Sequence, residues 1–129
     1  MFNSSNTFLE NFYEHINDNM DGHLSVGYLA KKMSVSKSTL NRKLQMLTGL
    51  SANEVIRQCR LQTAAMLLAE GKNVTETAYL TGFETPSYFI QRFREFYKHT
   101  PKKYAQIIAA FQALKEGDER DWLFKMKTA

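Results

Sequence analysis

AKKMSVSKSTLNRKLQML (residues 30–47) and AYLTGFETPSYFIQRFREF (residues 78–96) share one hydrophobic skeleton. The landmarks are Ala30, Val35, Leu40, Leu44 and Leu47 in the first stretch, and Ala78, Phe83, Phe89, Phe93 and Phe96 in the second. Their spacing agrees apart from one extra residue in the second turn, so the repeat runs at about 49 residues. Each copy reads as a short helix, a tight turn and a second helix with its apolar side inward, the pattern of a helix-turn-helix. Duplication gives one chain two reading heads, able to grip two groove segments without dimerising.

Start and stop signals divide the rest of the chain into helices. Phe8, Leu9, Phe12, Tyr13, Ile16 and Met20 recur at helical spacing and predict a helix over about 7–20, stopped by Asp21-Gly22. Ser25 caps a short helix of about 26–33, which buries Leu29, Ala30 and Met33, and Ser36 caps one of about 37–48 ended by Gly49. Ser51-Ala-Asn-Glu54 is a capping box that opens the longest helix, about 52–70, ended by Gly71. A second box, Asn73-Val-Thr-Glu76, opens a short helix ended by Gly82. Thr85-Pro86 and Thr100-Pro101 place proline at the first helical position, where the missing N–H costs nothing. The expected fold is all-α, with two helix-turn-helix subdomains joined by a long central helix, seven helices in all and room for a short eighth. The organisation is an N-terminal helical arm (1–24), a first helix-turn-helix (25–50), a linker helix (51–71), a second helix-turn-helix (72–104) and a C-terminal helical extension (105–129).

The 129 residues are 43% hydrophobic, enough for a packed core. No apolar run reaches membrane-spanning length and no signal pattern opens the chain. One cysteine, Cys59, excludes an internal disulfide and most cysteine-based metal sites. A cytoplasmic protein is expected, with no membrane partner, no cofactor and no metal. The net charge of +4 is unevenly spread. Residues 1–24 hold four acidic side chains and no Lys or Arg; residues 25–104 hold thirteen Lys/Arg against five Asp/Glu; residues 105–129 balance. The positive charge therefore sits on the repeat, the electrostatic footprint of a nucleic-acid binder.

With Leu40, Leu44 and Leu47 inward, Lys37, Ser38, Asn41, Arg42 and Gln45 face outward; with Phe89, Phe93 and Phe96 inward, Pro86, Ser87, Ile90, Gln91 and Arg94 do. These sets fit major-groove chemistry: Arg pairs bidentately with guanine, Asn or Gln with adenine, and Ile90 suits a thymine methyl. Base contact is assigned to Ser38, Asn41, Arg42, Gln45, Pro86, Ser87, Ile90 and Gln91. The first head, with the longer polar side chains, is expected to discriminate bases more sharply. Phosphate contact is assigned to Ser36, Lys37, Lys43, Thr85, Arg92, Arg94, Lys98, Lys102 and Lys103, which position without reading sequence. Arg57 and Arg60 are further cationic candidates, and Arg60 has a structural alternative as a brace for the long helix.

Residues 24–104 resemble the DNA-binding domain of the AraC/XylS family of bacterial transcription regulators. The resemblance rests on Leu29-Ala30, Ser36 with Leu40, Thr48-Gly49, Arg60-Leu61, Ala64, Leu67-Leu68, Ala78, Gly82-Phe83, Ser87-Tyr88-Phe89, Phe93, Thr100-Pro101 and Tyr104. It implies two recognition helices in adjacent major grooves, with base contacts from Ser38, Asn41, Arg42, Pro86, Ser87 and Gln91. Leu-Asn-Arg-Lys-Leu (40–44), Thr-Gly-Leu-Ser-Ala-Asn-Glu (48–54) and Thr-Pro-Ser-Tyr-Phe (85–89) look most like the branch that forms output domains of response regulators and hybrid sensor kinases in Bacteroidetes-like bacteria. Three positions depart from the family pattern. Thr77 stands where an aliphatic residue is common and is expected to loosen packing; Lys98-His99 stand where a glycine and a hydrophobic residue are usual; Ala105 replaces an arginine.

An enzyme is not expected. His15, His23 and His99 lie far apart, and no phosphate loop, nucleophile elbow or carboxylate pair is present. The alternative is a helix-turn-helix protein-interaction module that contacts RNA polymerase or a partner regulator. Ile107, Ile108, Phe111 and Leu114, with Trp122 and Phe124, either cover the core or make a dimer contact through the C-terminal extension. No effector pocket is legible.

Overall fold

A computed structural model describes residues 4–116. They form seven helices: α1 Ser4–Asp18, α2 Val26–Lys32, α3 Lys37–Thr48, α4 Ala52–Ala69, α5 Val74–Leu80, α6 Pro86–Tyr97 and α7 Pro101–Glu116. The tail residues Trp122, Leu123, Phe124 and Met126, and the eighth helix expected there, lie outside the described residues. No helix among the described residues is long and apolar enough to cross a membrane.

The helix starts follow the capping residues. Ser25, Ser36, Ser51, Asn73 and Thr85 each accept the backbone N–H three residues on. The two capping boxes form only by half. Glu54 turns its carboxylate to Arg57, and Glu76 turns its own to Lys72 at 3.7 Å. A full opposite charge one helical turn away outcompetes a single backbone amide. Helix α1 stops before Met20 because Asn19 donates to the His15 carbonyl and the Gly22 N–H to the Asn19 carbonyl, closing a turn.

The repeat extends to individual backbone hydrogen bonds. In the first head the Val35 N–H donates to the Ala30 carbonyl and the Ser34 N–H to that of Lys31; in the second, Phe83 donates to Ala78 and Gly82 to Tyr79, all at 3.0–3.1 Å. Both turns need a left-handed residue, supplied by Ser34 (φ 59°) and Gly82 (φ 83°). Both recognition helices also end left-handed, at Gly49 (φ 75°) and Lys98 (φ 68°), each donating to the carbonyl four residues back. Lys98, which stands where a glycine is usual, adopts the left-handed conformation itself. A side chain there costs about 1 kcal/mol. Lys98→Gly is therefore expected to raise the unfolding free energy by about 1 kcal/mol, measured by urea denaturation.

Two cores share α4. Phe12 and Ile16 of α1 pack with Leu29, Leu40, Leu44, Val55 and Ile56, joining α1–α3 to the first half of α4. Leu61, Ala64, Ala65 and Leu68 from its second half pack with Ala78, Phe83, Phe89 and Phe93. At 1.5 Å per residue α4 spans about 27 Å. The second core is an aromatic chain: ring centroids lie 5.1 Å apart for Phe83–Phe89, 5.6 Å for Phe89–Phe93 and 5.3 Å for Phe93–Tyr104. Tyr97, 4.6 Å from Phe93, fills the place expected for Phe96, which lies 37% exposed and edge-on to Tyr97.

Thr77 is fully buried and its hydroxyl has no partner. Its carbonyl already accepts the Thr81 hydroxyl at 2.7 Å. Burying an unpaired hydroxyl costs about 1–3 kcal/mol. Thr77→Val, which keeps the shape and removes the orphan, is expected to stabilise the fold by about 1 kcal/mol in the same denaturation assay.

Candidate nucleic-acid interface

Helices α3 and α6 present the two polar stripes. Ser38 and Arg42 are exposed on α3, as are Ser87, Gln91 and Arg94 on α6, with Pro86 half-buried at its first turn and Ile90 37% exposed. The inward sides are closed by Leu40 and Leu44 in one head and by Phe89 and Phe93 in the other. Each recognition helix is thus held from behind by a dry core and wetted in front.

Several expected contact residues have work inside the fold. Asn41 Oδ1 accepts the Ala52 N–H at 3.0 Å, so this side chain caps the first turn of α4 and ties α3 to it. Gln45 Nε2 donates to the Gly49 carbonyl at 3.1 Å and closes the end of its own helix. Lys43 Nζ lies 4.8 Å from the centre of the Phe8 ring, on the flank of α3 that meets α1. Arg92 is paired with Glu95 at 3.0 Å and sits over the Tyr88 ring at 5.4 Å; its side chain is only 24% exposed. The Asn41 and Lys43 contacts depend on where a second element packs, whereas those of Gln45 and Arg92 stay within or at the end of their own helices.

The remaining cationic candidates stand free of the cores. Lys37 runs its stem against Gly27 of α2, where an added Cβ would come within 2.9 Å of Lys37 Cε. Arg94 and Lys98 at the end of α6, with Lys102 and Lys103 in the first turn of α7, are all exposed. The Ser36 and Thr85 hydroxyls accept the Thr39 and Tyr88 N–H groups, which fixes the first turns of α3 and α6. A helix start of this kind offers its remaining amides and its dipole to a phosphate.

Arg60 braces rather than reaches outward. Its Nη1 donates to the Gly82 carbonyl and its Nη2 to the Gly22 carbonyl, both at 3.1 Å, while burial pulls its pKa below the usual arginine value. Arg57 pairs with Glu54 and lies 3.5 Å from the Tyr88 hydroxyl. Between the heads opens a cleft of about 880 Å³, lined by Asp21, His23, Arg57, Glu84 and Tyr88 among others. The sequence showed no sign of it because its walls come from three separate stretches.

Met46 is a further exposed side chain on the outer side of α3. It lies one turn beyond Arg42 on α3 and is 79% exposed. Burial pushes the Cys59 thiol up to about 11, so it stays protonated and inert at neutral pH. Among the described residues no three His, Cys, Asp or Glu side chains gather as a metal site would require.

Residues 29–107 match the family described as "Helix-turn-helix domain", whose AraC-type members share this two-headed architecture. The chain belongs to the AraC-type helix-turn-helix family. Over 98 residues the AraC-type chain is 33% identical to a histidine kinase of Formosa agariphila, a match covering 74% of this chain and 7% of the kinase. Over 90 residues it is 33% identical to the porin thermoregulatory protein EnvY of Escherichia coli, covering 69% of this chain and 35% of EnvY. The chain therefore spans a small part of each of these relatives. The DNA-binding domain of AdpA, solved in complex with a target DNA, shares the fold with a TM-score of 0.72 at 24% identity, over 88% of this chain and 97% of that one.

Proposed function

We propose that this chain is the sequence-specific, double-stranded-DNA-binding part of a bacterial transcription regulator, acting in the cytoplasm, with α3 and α6 in adjacent major-groove segments. The observation that carries the reading is the repeat itself: two recognition helices with matched turns, caps and exposed polar stripes, mounted on opposite halves of one helix. The family is one of DNA-binding regulators rather than of enzymes, and the AdpA domain of the same fold is held on DNA.

Ser38 and Arg42, with Asn41 where its amide remains available, read bases in the first segment; Ser87, Ile90 and Gln91 read the second. Lys37, Lys43, Arg94, Lys98, Lys102 and Lys103 meet phosphates. Residues 25–50 and 72–104 act as the two heads, and the likeness to a histidine kinase supports a place at the output end of a two-component system.

A protein contact accompanies DNA binding in this reading, because α7 leaves Ile107 40% and Phe111 65% exposed. RNA polymerase or a second copy of the chain meets that face. Sedimentation at several concentrations distinguishes the two: a rising mass indicates the second copy. The DNA reading is tested by selecting bound duplexes from a random pool. Winners with two preferred patches about 10 base pairs apart support it. A pool that stays random, or a single short patch, contradicts it.

A further inference from the structure

We propose that Arg60 is a positioning residue that sets the distance and angle between the two heads by tying the α1–α2 loop to the turn of the second helix-turn-helix. The inference rests on the two-head DNA-binding reading above. Two separate cores strung on one helix can twist and bend relative to each other unless something off the helix axis cross-links them. Arg60 stands where the cores change over, after Val55 and Ile56 of the first and directly before Leu61 of the second.

Three observations converge on the cross-link. The planar guanidinium donates to one carbonyl from each side, Gly22 in the α1–α2 loop and Gly82 in the second head's turn, each at 3.1 Å. Loop and turn also touch directly. A Cβ on Gly82 would come within 2.7 Å of the Met20 carbonyl oxygen and 2.9 Å of Arg60 Cζ, so the glycine serves the close approach as well as its positive φ. Finally, Arg60 Nε is buried without a partner, so the two carbonyls hold the guanidinium at the expense of its Nε–H. The Gly22 loop is anchored to the first core by Ile16 on one side and Leu24 on the other. A shift of either head therefore breaks one of the two bonds.

Lysine cannot replace this residue. Its ammonium is a single point, whereas arginine presents its donors in a rigid plane that reaches two acceptors at once. Arg60→Lys keeps the charge, and with it the long-range attraction to DNA, while removing the bridge.

The full chain and its Arg60→Lys and Arg60→Gln variants are titrated against the selected duplex, against versions with one base pair inserted or deleted between the two patches, and against a duplex with the first patch alone. Thermal unfolding is recorded for each protein. Wild type is expected to lose about a hundredfold on the altered spacings, since two linked contacts lose their joint gain when geometry forbids simultaneous engagement. Arg60→Lys is expected to lose no more than about threefold on them, with single-patch affinity within about twofold of wild type. A merely structural role would lower stability and every affinity alike and leave the spacing penalty intact; that result overturns the proposal. Should wild type itself show no two-patch binding, the DNA reading fails and the clamp stands or falls on a distance measurement. Spin labels at the exposed positions Asn17 and Tyr79, in a Cys59→Ala background, are expected to give one narrow distance in the free chain. A broad distribution there overturns the clamp, whether or not the Arg60 variants fold.

Discussion

Raising the salt concentration from 50 to 200 mM is expected to lower the affinity of this chain for its duplex roughly a thousandfold, because each neutralised phosphate contributes a slope of about −0.9 to the dependence of log affinity on log salt. Six cations supply the contacts: Lys37 and Lys43 at the first head, Arg94 and Lys98 at the second, and Lys102 and Lys103 at the start of α7. The steepness follows from where charge lies in the chain. Residues 1–24 are wholly acidic among their charged side chains, and thirteen of the seventeen Lys and Arg fall within residues 25–104. Fluorescence anisotropy at five or six salt concentrations gives the slope. A value near −5 supports six contacts, and a flat response contradicts an electrostatic grip of any kind.

Arg42→Ala carries the second large effect. Arg42 is exposed on α3, opposite the buried Leu40 and Leu44, where a guanidinium can meet a guanine edge with two hydrogen bonds. Its loss is expected to cost about 1–3 kcal/mol on the preferred sequence and to relax base preference at one position. Lys43→Ala is the comparison. Lys43 sits on the flank of the same helix over the Phe8 ring, so its removal is expected to weaken all sequences alike. Binding to a randomised site library separates the two outcomes. Identical profiles for both variants would remove the distinction between reading and positioning on α3.

The helix ends were legible because local chemistry decides them. Ser36 and Gly49 bracket α3, and Thr85-Pro86 opens α6, at the positions the sequence indicates. The duplication was legible for the same reason: its apolar landmarks recur at helical spacing inside each copy. Features that depend on through-space neighbours escaped. Asn41 faces outward on a helical projection, and nothing local shows that its Oδ1 also caps a helix that begins eleven residues later in the chain. Phe96 continues the inward stripe of α6 by periodicity, but Tyr97 and Tyr104 take that space. Glu54 and Glu76 had the spacing to complete capping boxes and chose cations instead. Arg60 was readable as a brace, though not the pair of glycines it joins. The interface itself is legible as a set of outward residues on α3 and α6.

In the proposed binding mode one chain places two helices in two successive major-groove segments. Methylation interference on the selected duplex, with binding stoichiometry measured alongside, tests it most directly, because methyl groups on guanine N7 block the major groove. Two clusters of interference are expected on one face of the duplex, about 10 base pairs apart, with one chain bound. A single cluster, or two clusters that require two chains, would contradict it.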